Sequence, residues 1–127
     1  MPVLRLDHVT ICTRDVSRSV SFWRDVVGFA PGPRPVFSFD GAWLYCEGRP
    51  VVHIVDRDAG PGGVIDHVAF RATGLADTVS RLKKLGVAYD LKPLPPGVPH
   101  SGTWQLFIRD PDGARIELDF PKDEAAS

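Results

Sequence analysis

The stretch LDHVTICTRDVSRSVSFW, residues 6–23, has a counterpart in IDHVAFRATGLADTVSRL, residues 65–82. Each begins as an alternating strand that contains Asp-His-Val and continues into a segment with apolar residues at helical spacing. The two Asp-His-Val motifs lie 59 residues apart. A repeat of this kind predicts two copies of one supersecondary unit that bury a shared core.

The segments that follow each motif give both halves the order βαβββ. Asp15 or Thr13 can cap the first helix, and Gly28 and Gly86 end the two helices. Alternation and turn signals such as DPDG at 110–113 place the other strands. In the first half, the predicted strands are 3–12, 34–40, 42–47 and 50–56. In the second half, they are DHVAFRA, 66–72, and about 87–91, 103–109 and 113–120.

These elements predict an α+β fold in one domain that spans residues 1–127. Two βαβββ modules of one chain form a cupped mixed sheet with the helices on its outer face. Module one covers about 3–56 and module two about 65–120. A Gly/Pro-rich linker, 57–64, joins the modules, and the polar C-terminal tail, 121–127, is expected to fray.

Composition excludes several classes of function. The chain is 43% hydrophobic and 24% charged with a net charge of −1, so no concentrated positive face for nucleic acid is expected. No apolar stretch approaches the roughly 20 residues of a membrane span, and no signal sequence is evident, which favours a cytoplasmic location. Cys12 and Cys46 are predicted to be reduced strand residues.

Four polar residues stand out because each lies in a strand between apolar neighbours that must point the opposite way. They are His8, His53, His67 and Glu117. If the apolar neighbours pack under the helices, all four polar side chains project into the cup. Buried imidazoles and a carboxylate need a common partner, and a divalent metal ion (Zn, Ni, Co, Mn or Fe(II)) is the simplest one.

More ordinary roles compete with this hypothesis. A single strand histidine is more often a hydrogen-bonded structural residue, and Glu117 could pair with Arg115. His100, in the Pro-rich segment 92–102, is either a solvated loop residue or part of a lid. Four aromatic residues fit a core as well as a binding site: Trp43, Tyr45, Trp104 and Phe107.

The repeat, together with RSVSFWRDVVGF and FIRDPDGARIEL, resembles the vicinal oxygen chelate superfamily over residues 4–120. This superfamily includes glyoxalases, bleomycin resistance proteins and extradiol dioxygenases. The resemblance implies that His8, His67 and Glu117 are metal ligands. His53 matches a further position, which is a carboxylate or Gln ligand in the glyoxalase and epimerase branch and compares with an acid/base histidine in the dioxygenases.

The resemblance therefore implies a metal-dependent enzyme with His53 and Glu117 as catalytic residues and a small oxygen-chelating substrate. A glyoxalase-like lyase or isomerase is favoured, and an Fe(II) or Mn(II) extradiol dioxygenase is the first alternative. Phe107 stands where dioxygenases have an assisting tyrosine, which counts against that alternative. An antibiotic-resistance protein, either a thiol transferase or a metal-free drug-binding module, is the second.

The resemblance also implies a homodimer. In this family, modules of two subunits often face each other. The sequence leaves open whether the site closes within one chain or between two chains.

Overall fold

The computed structural model describes residues 2–95, 97, 103–109, 111 and 113–125. The elements in these residues, in chain order, are β1 (Val3–Thr13), α1 (Val16–Phe22), a π-helical segment (Trp23–Val27), β2 (Ala30–Gly32), β3 (Gly41–Cys46), β4 (Arg49–Asp56), β5 (Ile65–Ala72), α2 (Leu75–Leu85), β6 (Asp90–Pro93), β7 (Trp104–Arg109) and β8 (Arg115–Phe120).

All eight of these strands form one sheet in the order β2-β3-β4-β1-β5-β8-β7-β6. The first strands of the two modules, β1 and β5, pair antiparallel at its centre. On either side, β1 pairs with β4 and β5 pairs with β8, both in parallel. The predicted mixed sheet is confirmed. From either edge to the centre, the strands are the second, third, fourth and first of their module, as expected for an internal repeat.

The strand registers make His53 and Glu117 equivalent positions of the repeat. Thr10 of β1 pairs with His53 of β4, and Ala69 of β5 pairs with Glu117 of β8. Thr10 and Ala69 are themselves separated by the 59-residue offset. The sequence predicts the same equivalence, because PVVHIVD (50–56) and ARIELDF (114–120) occupy matching places in the two halves and align His53 with Glu117.

Each helix packs on the outer face of its own module's strands. The buried core under α1 and the π-helical segment consists of Leu44, Val52 and Ile54, with Val9, Ile11, Val16, Val20 and Trp23 packed against it. The core under α2 consists of Ala72, Leu75, Val79, Leu82, Leu106, Leu118 and Phe120. Since these apolar residues alternate with the four predicted site residues, the site residues lie on the opposite face.

The strand predicted at 34–40 is wrong. The edge strand is β2, and residues 33–40 have no regular hydrogen-bonded structure. Pro33 and Pro35 lack backbone N–H donors, which suits a loop better than a ladder. The strand predicted at 87–91 is displaced to β6, because the N–H of Val87 donates to Leu82 O at the end of α2.

The two helices begin and end at the residues that the sequence indicated. Asp15 accepts a hydrogen bond from the backbone N–H of Arg18 at the start of α1. Gly28 and Gly86 end the helical segments with φ of 93° and 69°, a conformation that favours glycine. The first helix differs from expectation only in that its last part is π-helical.

The expectation of a frayed C-terminal tail is wrong for Glu124. Its Oε1 accepts hydrogen bonds from the backbone N–H groups of Gly74 and Leu75, at 2.7 and 2.8 Å. Its carbonyl accepts from Trp104 Nε1 at 3.0 Å. Gly74 has no side chain with which to cap α2, so the tail supplies the cap instead.

Among the described residues, no helix has the length and apolar character needed to cross a membrane. Cys12 and Cys46 are both free, as predicted.

Candidate metal centre

Three of the four predicted site residues converge within one chain. His8 lies on β1, His67 on β5 and Glu117 on β8, which are adjacent strands at the centre of the sheet. The two Nε2 atoms are 3.4 Å apart, and Glu117 Oε1 lies 3.0 Å from His67 Nε2 and 3.8 Å from His8 Nε2. Both modules therefore contribute to a site that needs no second chain.

These separations fit a divalent cation. Two ligand atoms at about 2.1 Å from one ion lie about 3.0 Å apart at a right angle and about 3.4 Å apart at a tetrahedral angle. The three ligand atoms all lie within 4.8 Å of one another. Two imidazole nitrogens and a carboxylate oxygen suit Zn and the neighbouring first-row metals.

An aspartate holds the other ring nitrogen of each histidine. His8 Nδ1 lies 2.8 Å from Asp7 Oδ2, and His67 Nδ1 lies 2.7 Å from Asp66 Oδ2. Because a carboxylate accepts the Nδ1–H, a neutral ring presents the lone pair of Nε2 to the centre. Metal-ligating histidines are commonly oriented by such carboxylates.

Two β-bulges allow each aspartate to reach the histidine that follows it. The pairing of β1 with β5 shifts between Leu6 and His8, which leaves Asp7 as the extra residue, and Asp66 is the extra residue of a second shift. In a regular strand neighbouring side chains point to opposite faces. A bulge redirects one of them, here beside the candidate centre.

Glu117 is buried and ionised. Burial opposes its charge, but hydrogen bonds with His67 and Asp119 and the nearby His8 hold its pKa below the usual range. Burial and the carboxylate of Glu117 raise the pKa of Asp119 well above its ordinary value. The neutral form of Asp119 is thereby favoured beside Glu117. The amide nitrogen of Gln105 lies 3.5 Å from Glu117 Oε2.

His53 lies beside the three converging residues but does not point at them. Its ring is stacked between those of His8 and Trp43, with centroid distances of 3.6 and 4.0 Å. Its Nε2 donates to the carbonyl of Pro50 at 3.1 Å. Burial and the neighbouring His8 lower the pKa of His53 well below its ordinary value, so the ring is neutral near pH 7.

Two cavities meet at the candidate centre, and both are lined by His8, His53 and Glu117. The cavity on the Asp7 side measures about 170 Å³, and the cavity on the His67 side measures about 250 Å³. Open space therefore adjoins the converging atoms, as a substrate site requires.

Other candidate residues are placed as follows. Arg115 donates to Asp66 at 2.9 Å and lies over the ring of Phe107, and no ion pair between Arg115 and Glu117 is present among the described residues. Trp43 and Phe107 line the His67-side cavity. Trp104 and Tyr45 serve mainly in packing. His100 lies outside the described residues.

The roles of Asp7 and Asp66 were not predicted from the sequence. The signal was present, since the repeated motif contains the aspartate as well as the histidine, but strand alternation argued against a shared face. Thr10 is a further neighbour of the site, with its Oγ1 at 2.9 Å from His67 Nε2.

Comparison with known proteins agrees with the fold and the repeat. A family model, the Glyoxalase/Bleomycin resistance protein/Dioxygenase superfamily, matches residues 5–118. The chain therefore belongs to this superfamily.

Individual relatives carry different activities in their names. A protein named glyoxylase I 4 from Arabidopsis thaliana is 30% identical over 123 residues, which are 89% of this chain and 68% of that protein. Methylmalonyl-CoA epimerase from Mycobacterium tuberculosis has a similar structure, with a TM-score of 0.72, 22% identity and coverage of 94% of this chain and 89% of the epimerase. A Mn(II)-bound glyoxalase from Novosphingobium aromaticivorans gives a TM-score of 0.68 at 20% identity, with coverage of 98% of this chain and 43% of that protein. At these identities the structural likenesses establish the fold alone.

Proposed function

We propose that the protein is a divalent-metal-dependent enzyme and that His8, His67 and Glu117 are the metal ligands. The observation that supports this proposal is the convergence of three buried acceptor atoms at separations that fit one cation. Without a metal ion, a protonated His67 could donate hydrogen bonds to Asp66 and Glu117, but this would provide partners for His67 alone. His8 Nε2 would then be left with two long contacts, 3.4 Å to His67 Nε2 and 3.8 Å to Glu117 Oε1.

The favoured reaction is a glyoxalase-like lyase or isomerase reaction on a small substrate with two neighbouring oxygens. His8, His67 and Glu117 would hold the metal with three protein ligands, fewer than its full number, so that substrate oxygens could also bind. Open space for a substrate adjoins these residues in both cavities. A divalent cation held there would supply Lewis-acid stabilisation of an enolate or enediolate oxygen. The names of a glyoxylase relative and of a Mn(II)-bound glyoxalase of the same fold support this choice.

His53 is proposed as the base that accepts a proton from the carbon next to the substrate carbonyl. Its Nε2–H donates to Pro50, so the lone pair resides on Nδ1. The ring is neutral because its pKa is lowered, and it lines both cavities. Glu117 contributes the negative charge that holds the metal, and Asp119 and Gln105 position it.

Extradiol ring cleavage is the second candidate, and the position of His53 is the observation that favours it. A neutral, buried imidazole stacked on His8, outside the three converging residues, suits an acid/base residue near a bound catechol. Phe107, which contacts His67 edge-on at 5.8 Å, has no hydroxyl to assist. A lyase or isomerase reaction is therefore favoured over extradiol ring cleavage.

Metal analysis followed by paired assays tests the proposal. The purified protein is analysed for metal by mass spectrometry and then reloaded separately with Zn, Ni, Co, Mn or Fe(II). Each form is assayed with a 2-oxoaldehyde hemithioacetal under argon and with a catechol under oxygen. We expect metal-dependent turnover of the hemithioacetal. Oxygen uptake with catechol would instead select the dioxygenase, and failure of every metal to bind would refute the proposal.

A further inference from the structure

The His67-side cavity has a surplus of positive charge. Its lining includes four cationic side chains, Arg34, Arg57, Lys92 and Arg115. Among the described residues, the carboxylates that line the same cavity are Asp66 and Glu117. The formal charge of the lining is therefore two positive before any metal is counted. The Asp7-side cavity has a smaller surplus, because its three arginines are accompanied by three acidic residues, Asp7, Glu117 and Asp119.

Two of the four cations have no carboxylate partner in the part of the chain that the structure describes. Asp66 lies 2.9 Å from Arg115 and 3.5 Å from Arg57, so it pairs with both. Within the described part of the chain, no carboxylate lies within 4.0 Å of Arg34 or Lys92. Arg34 Nη2 donates to the carbonyl of Phe39 at 2.9 Å. Partial burial lowers the pKa of Arg34, opposed by the more distant Asp40, as expected for a cation held without a close partner.

Aromatic rings adjoin both of these cations. Arg34 Cζ lies 4.8 Å from the ring centroid of Phe37 and 5.3 Å from that of Phe39. Lys92 Nζ lies 5.0 Å from the ring centroid of Phe107. The ring of Phe107 also contacts His67, at 5.8 Å between centroids. Lys92 and the proposed ligand His67 thus both contact the ring of Phe107.

We propose that the substrate is an organic acid with an apolar or aromatic body. Its carboxylate pairs with Arg34 and Lys92, and its body lies against the phenylalanines of the His67-side cavity. Its two neighbouring oxygens reach the centre formed by His8, His67 and Glu117. This inference rests on the proposed metal site and adds the charge and shape of the substrate to it. An anion in this cavity would balance the surplus charge that the protein leaves there.

Two chelating probes of matched shape test the inference. 4-Carboxybenzohydroxamate and 4-carbamoylbenzohydroxamate both chelate a metal through neighbouring oxygens, and they differ in the charge of the distal group. The 3-substituted isomers of both probes place the distal group at a different distance and angle from the chelating oxygens. Binding to the metal-loaded full chain is measured by isothermal titration calorimetry. We expect at least one carboxylate isomer to bind about tenfold more tightly than its amide.

Substitutions assign the preference to the two cations. Arg34→Gln and Lys92→Gln should each remove most of the preference for the carboxylate and leave the affinity for the amide unchanged. The matched controls are Arg49→Gln in the other cavity and Lys84→Gln on α2, and both should keep the preference.

Each of three other experimental outcomes would refute a specific part of the proposal. Equal affinity for carboxylate and amide would refute the anionic substrate and leave the metal site standing. A preference that survives in both Arg34→Gln and Lys92→Gln would refute their role as its source. If the metal-loaded protein binds neither probe, the proposed chelating function fails and this inference fails with it.

Discussion

At the scale of single residues, the candidate centre depends on a division of roles among neighbouring polar groups. Glu117 supplies the negative charge, and His8 and His67 each direct Nε2 at the centre while Nδ1 contacts Asp7 or Asp66. His53 is separated from this set because its ring is stacked and its Nε2 is bonded to Pro50. Different substitutions should therefore give different results.

Glu117→Gln and His53→Ala should separate a ligand from a base. We expect Glu117→Gln to lower the metal affinity by more than about 100-fold, because it removes the one charged ligand. His53→Ala should keep the metal and lose turnover. Mass-spectrometric metal analysis after gel filtration measures the first effect, and the hemithioacetal assay measures the second. The exposed Glu47→Gln is the control; full metal retention by Glu117→Gln would show that Glu117 is not a ligand.

Asp7→Asn and Asp66→Asn test the orientation of the histidines. An amide loses the negative charge that fixes the Nδ1–H tautomer, so metal affinity should fall by about 10–100-fold in each variant. Competition with a chromophoric chelator measures this affinity. Asp58→Asn, at a surface position with 90% side-chain exposure, should have no effect. Unchanged affinity in both variants would mean that these contacts do not position the ligands.

At the scale of secondary-structure elements, predictions from the sequence pattern fail at β-bulges and at prolines. Alternation correctly predicted β1 and β5 but could not reveal that Asp7 and Asp66 are extra residues in their pairing. Such shifts depend on how two distant strands are aligned with each other. The segment 34–40 had strand-like residues, but it forms a loop that brings Arg34, Phe37 and Phe39 to the cavity.

The cap on α2 gives a stability prediction at this scale. Glu124→Ala removes the acceptor for two backbone N–H groups at the start of the helix, so we expect a loss of about 1 kcal/mol in the free energy of unfolding. Urea denaturation followed by circular dichroism measures the loss. Asp123→Ala, one residue earlier in an exposed turn, is the matched control. Equal stability of the two variants would show that the tail does not contribute as a cap.

At the scale of the whole molecule, the antiparallel pairing of β1 with β5 joins the two modules into one sheet. That pairing brings His8 from module one to His67 and Glu117 from module two. The sequence left open whether the site closes within one chain or between two; in this structure the three candidate ligands meet within one chain. The homodimer implied by the family resemblance stays a prediction.

The metal stoichiometry follows from closure within one chain. We expect one metal ion per chain, whether the protein is a monomer or a dimer, because each chain contains all three proposed ligands. Analytical ultracentrifugation gives the assembly state, and metal analysis of the same sample gives the ratio. A dimer that holds one metal per two chains would contradict this expectation.

The sequence by itself determined the features that follow from local periodicity and repetition. These are the two modules, the helices that end at Gly28 and Gly86, the core-facing residues of each strand and the equivalence of His53 with Glu117. Each follows from spacing along a few residues or from comparison of one half with the other, so no knowledge of distant contacts is needed.

Only the tertiary structure decided how the side chains are directed. In the folded chain, the ring of His53 is stacked between those of His8 and Trp43. Asp7 and Asp66 lie in β-bulges. Arg34 and Lys92 have no carboxylate partner among the described residues. The physical reason is that ring stacking, strand register and charge pairing are set by groups far apart in the chain. Those groups come into contact only when the strands assemble into the sheet.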